Sequence, residues 1–203
     1  MPCYKNARFV FITPDNCLEE LRLKALHDGK TILITTYSIR RGFWILDPAK
    51  IPQTRYEYAC TLDGMEKVGK AVTLSDLLEL KPIIDLMVTG TGAINTKGIR
   101  YGKGHGFFDL EWGMLFTLGL VDTSTVTAAL VHDCQVLEEA LHPMDFDTVC
   151  DVVVTPSKVI EVDGAQKPRC GIIWDKLESN MLQDIPPLRE LQEMVDTGVV
   201  KQP

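Results

Sequence analysis

Short runs of apolar and β-branched residues alternate with amphipathic stretches along this chain. The runs lie at residues 8–12, 31–36, 42–46, 83–88, 125–131 and 148–154. Because the runs are continuously apolar rather than alternating, they are typical of strands covered on both faces. Helical spacing between them, as at residues 74–80 and 108–118, indicates strands joined by helices. The sequence therefore predicts a three-layer α/β/α fold with a mainly parallel sheet.

The length of 203 residues fits one domain with a sizeable core. We interpret residues 1–203 as a single α/β domain, with its core to about residue 156 and a C-terminal extension at 157–203. Within the extension, residues 187–195 have the pattern of an amphipathic helix. Residues 47–69 are rich in Pro, Gly, Tyr and charge, so we predict a long irregular segment there.

The composition argues against several kinds of ligand and location. With a net charge of −7, the chain does not suit non-specific binding to nucleic acid. No apolar run approaches the roughly 20 residues that cross a bilayer. The N-terminus has no signal-peptide pattern, so we expect a cytoplasmic protein with no membrane partner. The six cysteines are widely spaced and form no CxxC pair, which predicts reduced thiols and no cysteine zinc site.

The strongest functional pattern is the segment YGKGHGFFD, which ends at Asp109. Its alternate glycines, Gly102, Gly104 and Gly106, allow positive φ angles and close approach of the backbone to a ligand. A helical pattern follows directly, so the first N–H groups of that helix have no internal acceptor. With Lys103 they would bind a polyphosphate, and Asp109 would hold Mg²⁺ against it. The motif alone favours a structural turn with a helix cap over a phosphate site, and it has neither Rossmann nor Walker spacing.

This segment and its surroundings resemble the 5-formyltetrahydrofolate cyclo-ligase family. The family pattern runs from a strand with Asp through a glycine turn and G-x-R to G-[RK]-G-x-G-[YF]-[YF]-D, then to D-x-x-V-D before a final strand. This chain has Asp85 in the strand, the turn TGTG, the triplet GIR ending at Arg100, and then GKGHGFFD. The last motif reads DTVCD, from Asp147 to Asp151. The match is specific over roughly residues 80 to 156.

The resemblance implies a fold of the NagB/RpiA/CoA-transferase type, ATP and Mg²⁺ as cofactors, and a reduced folate or similar small molecule as substrate. In the family the glycine loop holds the ATP phosphates and part of the folate. Nucleotide and substrate binding is thereby implied for Arg100, Gly102, Lys103, Gly104, His105, Gly106, Phe107 and Phe108. Lys103 and Asp109 would be catalytic, and Asp109 and Asp147 would bind the metal ion.

Three departures from the family pattern bear on the substrate. The first predicted strand starts near Arg8, which leaves no room for the helix whose lysine and arginine reach ATP in working cyclo-ligases. Leu110-Glu111 follows the motif aspartate, where many members have arginine. The extension after Val154 and the VHD-x-Q segment resemble a separate cyclo-ligase-like branch that has been suspected of serving thiamine metabolism. An ATP-dependent ligase and a non-catalytic nucleotide- or folate-binding protein therefore both remain open.

Other polar residues have weaker patterns. His132-Asp133 follows a predicted strand at its carboxyl end, where active-site groups collect, but the pair also fits a turn. Arg40-Arg41 would meet an anionic substrate tail or remain solvated. The tryptophans are expected in the core rather than at a ligand.

Overall fold

The computed structural model describes residues 1–102 and 104–203. The strands are β1 Phe9–Ile12, β2 Thr31–Thr35, β3 Phe43–Leu46, β4 Lys70–Val72, β5 Leu86–Thr89, β6 Ala93–Asn95, β7 Arg100–Tyr101, β8 Val126–Leu130, β9 Val136–Leu137, β10 Val152–Val154 and β11 Val159–Glu161. The α-helices are α1 Pro2–Asn6, α2 Glu19–His27, α3 Tyr56–Cys60, α4 Leu62–Val68, α5 Leu74–Leu80, α6 Phe107–Thr117, α7 Met181–Asp184 and α8 Pro186–Asp196.

A large sheet has the strand order β11-β10-β8-β5-β1-β2-β3-β4. Its central strands β10, β8, β5, β1 and β2 run parallel to one another. Antiparallel strands complete both edges, with β3 and β4 at one and β11 at the other. A small sheet, β7-β6-β9, lies between β5 and β10 in the chain.

The large sheet is covered on both faces because neighbouring residues of its strands point to opposite sides. Val10 and Ile12 of β1 pack into one hydrophobic cluster, which α2, α3 and α4 complete. Phe11, between them, packs into the other cluster with α5, α6 and α8. Apolar burial on both faces is what the continuous apolar runs require. The predicted α/β fold with a mainly parallel sheet is confirmed.

The predicted irregular segment at residues 47–69 is wrong, because it contains α3 and α4. Its apolar residues Ala59, Cys60 and Met65 are fully buried in the cluster beside α2. Position 64 also requires glycine, because an added Cβ would lie 1.6 Å from the Tyr58 carbonyl oxygen. Tertiary burial therefore stabilises short helices that the local composition of Pro, Gly and charge does not favour.

Three further differences concern short elements. The helix α1 precedes the first strand, where the sequence predicts no helix. The small sheet was not predicted, because its strands are only two or three residues long and have no detectable period. It matters for function because β7 ends at Tyr101, directly before the glycine loop. The last parallel strand, β10, is also shorter than the run predicted at residues 148–154.

The helix α8 joins the same hydrophobic cluster as α5 and α6. Leu188 and Leu191 are fully buried there. The carboxylate of Glu190 accepts hydrogen bonds from the backbone N–H groups of Leu74 and Ser75 at 3.0 and 2.9 Å. Those groups begin α5 and lack intrahelical acceptors, so α8 caps α5 as well as packing against it.

Candidate functional site

A cleft of about 650 Å³ opens at the carboxyl ends of three parallel strands. Thr13 follows β1, Thr36 follows β2 and Thr89 ends β5, and all three line the cleft. The opposite wall is formed by the glycine loop, the start of α6 and residues 146–149. Ligands of open α/β sheets bind in this position, because the loops that follow the strands converge there.

Two of the three loop glycines, Gly104 and Gly106, adopt the positive φ that the sequence pattern suggests, and Gly102 does not. Gly104 has φ +84° and Gly106 has φ +62°, both in the left-handed region that favours glycine. Gly106 is the N-cap residue of α6, and no described side chain caps this helix end. The N–H groups of the first turn therefore face the cleft without intrahelical acceptors, which is the arrangement that binds anions.

Asp109 lies in that first turn and is mostly buried. Its Oδ1 accepts hydrogen bonds from Arg100 Nη2 at 2.6 Å and from the Thr148 backbone N–H at 2.7 Å. Both charged side chains are only 12% exposed. Burial raises the pKa of Asp109, while the nearby Arg100 charge and the Thr148 bond partly oppose the rise. The ion pair thus connects β7 to α6 across the base of the glycine loop.

Asp147 lines the same cleft as Asp109. Its Oδ2 accepts a hydrogen bond from the Met144 backbone N–H at 2.8 Å. Within residues 1–102 and 104–203, no group of three or more His, Cys, Asp or Glu side chains is placed to hold a metal ion. A Mg²⁺ ion between Asp109 and Asp147 would therefore take its remaining ligands from water or a bound phosphate, as Mg²⁺ often does. The metal assignment stays a prediction.

The other residues expected at the site lie around the cleft. Its lining includes Arg100, Gly102, Gly104, His105, Gly106, Phe107, Phe108 and Asp109. The His105 and Phe107 rings are 5.4 Å apart between centroids. The guanidinium of Arg100 sits 4.6 Å from the centroid of the buried Phe108 ring, so that ring supports the ion pair. Lys103 lies outside the described residues.

Glu111 is a cleft residue that sequence reasoning missed. It is only 2% exposed, and its Oε1 accepts a hydrogen bond from the Thr35 hydroxyl. Its Oε2 is buried with no hydrogen-bond partner among the described residues. Burial raises the pKa of Glu111 to about 8, against the lowering effect of the Thr35 bond. The signal was a single acid within the apolar segment LEWGMLF, directly after the glycine motif.

Asp15 is the second cleft residue that sequence reasoning missed. Its Oδ2 accepts hydrogen bonds from the Thr13 hydroxyl at 2.5 Å and from the Gly90 backbone N–H at 3.0 Å. Asp15 thereby connects the loop after β1 to the turn after β5, and it lines the cleft. A Pro-Asp pair directly after a predicted parallel strand was the available signal.

Two residue pairs considered from sequence lie elsewhere. His132 is the N-cap of a short 3-10 turn, and Asp133 accepts hydrogen bonds from Thr155 and Ser157 at 2.5 Å each. Neither lines the cleft, and their contacts are those of a turn. Arg41 donates two hydrogen bonds to Glu66, at 2.7 and 2.6 Å, on the surface.

The C-terminal extension borders the glycine loop. A second cavity of about 120 Å³ lies between the loop and residues 171–181. It shares Gly104, His105, Asp109 and Phe146 with the main cleft. Lys176 lies on its rim, with Nζ 5.1 Å from the Phe146 ring centroid. The extension therefore encloses one side of the loop.

The sheet order, the cleft at the strand ends and the glycine loop before α6 define a three-layer α/β protein with a ligand-type cleft. The family model of the 5-formyltetrahydrofolate cyclo-ligase family matches residues 1–156, and the chain belongs to this family. None of the helices in the described residues is long and apolar enough to cross a membrane.

Curated relatives match nearly the whole chain. It is 34% identical over 197 residues to the methenyltetrahydrofolate synthase domain-containing protein of Bos taurus, covering 95% of this chain and 50% of that protein. The protein of the same name from Mus musculus is 35% identical over 191 residues, or 92% of this chain and 50% of its own length. The Homo sapiens protein is 34% identical over 189 residues, 90% of this chain and 48% of its own. The chain thus spans about half the length of these relatives.

Proposed function

We propose that this chain is an ATP- and Mg²⁺-dependent cyclo-ligase-like enzyme acting on 5-formyltetrahydrofolate or a related heterocycle. The observation that supports it best is the convergence of the glycine loop, the N-terminus of α6, Asp109 and Asp147 on one cleft. Membership of the 5-formyltetrahydrofolate cyclo-ligase family supports the reaction class. The product from 5-formyltetrahydrofolate would be 5,10-methenyltetrahydrofolate.

The chemistry needs an activated formyl oxygen. That oxygen is a poor leaving group, so it would take the terminal phosphoryl group of ATP, and ADP would leave. The neighbouring amine would then attack the formyl carbon, close the ring and expel phosphate. Lys103 and the N–H groups of Gly104, Gly106 and the first turn of α6 would bind the transferred phosphoryl group. Bound Mg²⁺, held by Asp109 and Asp147, would neutralise phosphate charge.

The first experiment is calorimetric titration of ATP, with and without Mg²⁺, followed by measurement of ADP release with 5-formyltetrahydrofolate. Lys103→Ala is expected to weaken ATP binding by about 10-fold to 100-fold, since a charge-assisted contact contributes roughly 1.5–3 kcal/mol. Lys103→Arg keeps the charge and should lose less.

Lys67→Ala, on the exposed face of α4, is the matched control and should bind ATP as the parent does. Gly104→Val should lose more than Lys103→Ala, because a β-branched residue at φ +84° distorts the loop itself. A folded Lys103→Ala variant that binds ATP like the parent would mean that the loop is a structural turn.

A second candidate function is non-catalytic binding of a nucleotide or folate, including a role linked to thiamine metabolism. The observation that favours it is the ion pair of Asp109, whose Oδ1 already accepts from Arg100 and Thr148. A metal ion at Oδ1 of Asp109 would compete with Arg100, whereas an ion at Oδ2 would not. The two candidates separate in the same titration: a binding protein would bind ATP or folate without tightening by Mg²⁺ and without releasing ADP.

A further inference from the structure

The Oε2 atom of Glu111 is a buried acceptor without a described partner, in a side chain that lines the cleft. The side chain is 2% exposed and lines the cleft, and Thr35 occupies only Oε1. No described residue donates a hydrogen bond to Oε2. Buried carboxyl oxygens are nearly always hydrogen-bonded, so an unpartnered one beside a cleft indicates a donor that arrives with a ligand.

Packing alone does not account for a carboxyl group at this position. The neighbours of Glu111 on α6, Leu110 and Trp112, belong to the buried hydrophobic cluster. A methionine has nearly the same length and would fill the space without a desolvated polar group. Replacing buried charged groups by apolar ones of similar volume is often neutral or stabilising. A glutamate here therefore points to a role in binding.

The surrounding charges favour an N–H donor as the group that meets Oε2. Asp15 and Asp109 surround Glu111 with negative charge, and Arg100 is the nearby cation. The Oδ2 of Asp15 and the Oδ1 of Asp109 are already hydrogen-bonded. These acids do not form a metal-binding group in the described part of the chain. A hydrogen-bond donor on the ligand thus suits Oε2 better than a metal ion does.

We propose that Glu111 is a substrate-binding residue whose Oε2, ionised in the complex, accepts a hydrogen bond from a ring N–H or amino group of a heterocyclic ligand. The inference rests on the proposed function, because it assigns a subsite within the same cleft. The cleft then has two chemically distinct ends. The glycine loop and α6 N-terminus bind the anionic group, and Glu111 binds the nitrogen donor, so a ligand carrying both has one orientation.

The test compares the full chain with Glu111→Met and Glu111→Gln by calorimetry at about pH 9, where a carboxyl group with a pKa of about 8 is mostly ionised. The probes are 5-formyltetrahydrofolate and thiamine, which carry N–H donors, and tripolyphosphate, which carries none, as the probe of the loop. Glu111→Met, which has no acceptor, should bind the N–H probe about 10-fold to 100-fold more weakly. In Glu111→Gln, Thr35 and the ligand compete for one carbonyl oxygen, so a loss of about tenfold is expected.

Tripolyphosphate affinity should stay within about twofold of the parent in both variants, since a change of that size is below the contribution of one hydrogen bond. Glu139→Met, an exposed glutamate outside the cleft, is the matched control and should bind every probe as the parent does. Thermal unfolding reports whether each variant is folded. Where Glu111→Met fails to fold, Glu111→Gln decides the question alone.

The inference is overturned if the folded variants bind the N–H probes as tightly as the parent, or lose tripolyphosphate and N–H probes equally. It is also overturned if the parent binds neither 5-formyltetrahydrofolate nor thiamine. ADP release reports separately on the proposed function. A parent that binds an N–H probe through Glu111 but releases no ADP would contradict the proposed enzyme and leave the Glu111 assignment in place.

Discussion

At the scale of single residues, Arg22 shapes the cleft although it does not line it. Its guanidinium is fully buried and donates to the backbone carbonyls of Thr13 at 2.9 Å, Asp15 at 3.0 Å and Cys60 at 2.9 Å. Burial lowers the pKa of Arg22, and nearby acidic groups oppose that change. Three hydrogen bonds from one side chain thus hold the loop after β1 against α3.

Cys17 lies in the loop that Arg22 holds, and its thiol offers a direct probe of the cleft. It is exposed and lines the cleft, whereas the exposed Cys134 does not. Partial burial and the Asp15 carboxylate raise the pKa of Cys17, so its thiolate fraction at neutral pH is small. Raising the pH to about 8.5 should increase the thiolate fraction of Cys17 and therefore its rate of alkylation.

We expect a ligand of the cleft to slow alkylation of Cys17. With iodoacetamide at pH 8.5, saturating ATP or 5-formyltetrahydrofolate should reduce the rate at Cys17 several-fold and leave Cys134 unchanged. Peptide mass spectrometry measures both rates in one sample, and Cys134 is the internal control. Cys60 and Cys150 should not react, because burial raises the pKa of each thiol to about 12. Equal rates at Cys17 with and without both ligands would contradict a ligand site beside it.

At the scale of elements, α6 connects the cleft to the C-terminal extension. Its first turn presents Asp109 to the glycine loop, and Glu111, two residues further along, also lines the cleft. Further along, Gly113 meets the extension, since an added Cβ would lie 2.8 Å from Ile172 Cδ1 and 3.0 Å from the Gly171 carbonyl oxygen. The extension therefore packs against the helix that carries the site residues.

Gly113→Ala should destabilise the protein by about 1–3 kcal/mol, because the new methyl group overpacks this contact. In an exposed helix the same change would stabilise by roughly 0.5–1 kcal/mol, so even the sign of the result is informative. Urea unfolding measures the effect, and limited proteolysis reports release of residues 171–181. A variant more stable than the parent would show that the extension does not press on α6.

At the scale of the whole molecule, the last helix is part of the core. Leu191 is fully buried among residues of α5 and α6. Leu191→Ala should lower the free energy of unfolding by about 2–5 kcal/mol, the usual range for a buried leucine. Val199→Ala, at a position 59% exposed, is the control and should change it by less than about 0.5 kcal/mol. Denaturant unfolding followed by tryptophan fluorescence compares the two, and equal midpoints would contradict the packing of α8.

Stability should also depend on pH through Glu111. Its pKa is raised from 4.5 to about 8 in the fold, so the folded state holds a proton that the unfolded state releases. The contribution of Glu111 to the free energy of unfolding is therefore greatest below about pH 4.5. It declines as the pH rises to about 8, by roughly 1.4 kcal/mol per pH unit. The expected loss between pH 5 and 8 is about 4 kcal/mol.

Glu111→Gln should remove this dependence, because glutamine does not titrate. Urea unfolding of the metal- and ligand-free proteins from pH 5 to 9 gives the difference between parent and variant at each pH. That difference should grow in favour of glutamine as the pH rises. A difference that is constant with pH would mean that the carboxyl group titrates near its ordinary value.

The sequence alone determined the features that depend on local chemistry. Continuous apolar runs predicted β1, β2, β3 and β8 nearly to the residue, because strands covered on both faces are apolar or β-branched at nearly every position. Helical spacing predicted α5, α6 and α8 for a similar reason. The glycine pattern placed the loop correctly before α6, since alternate glycines permit backbone angles that other residues rarely adopt.

Only the tertiary structure decided the rest. Helices α3 and α4 form because Ala59, Cys60 and Met65 are buried against α2, a gain that no local pattern reports. Likewise, Arg100 and Asp109 pair, and Glu111 meets Thr35 from a position 76 residues away in the chain. Burial and electrostatics depend on which distant segments exclude water from a side chain, so they emerge only when the sheet and its helices are assembled.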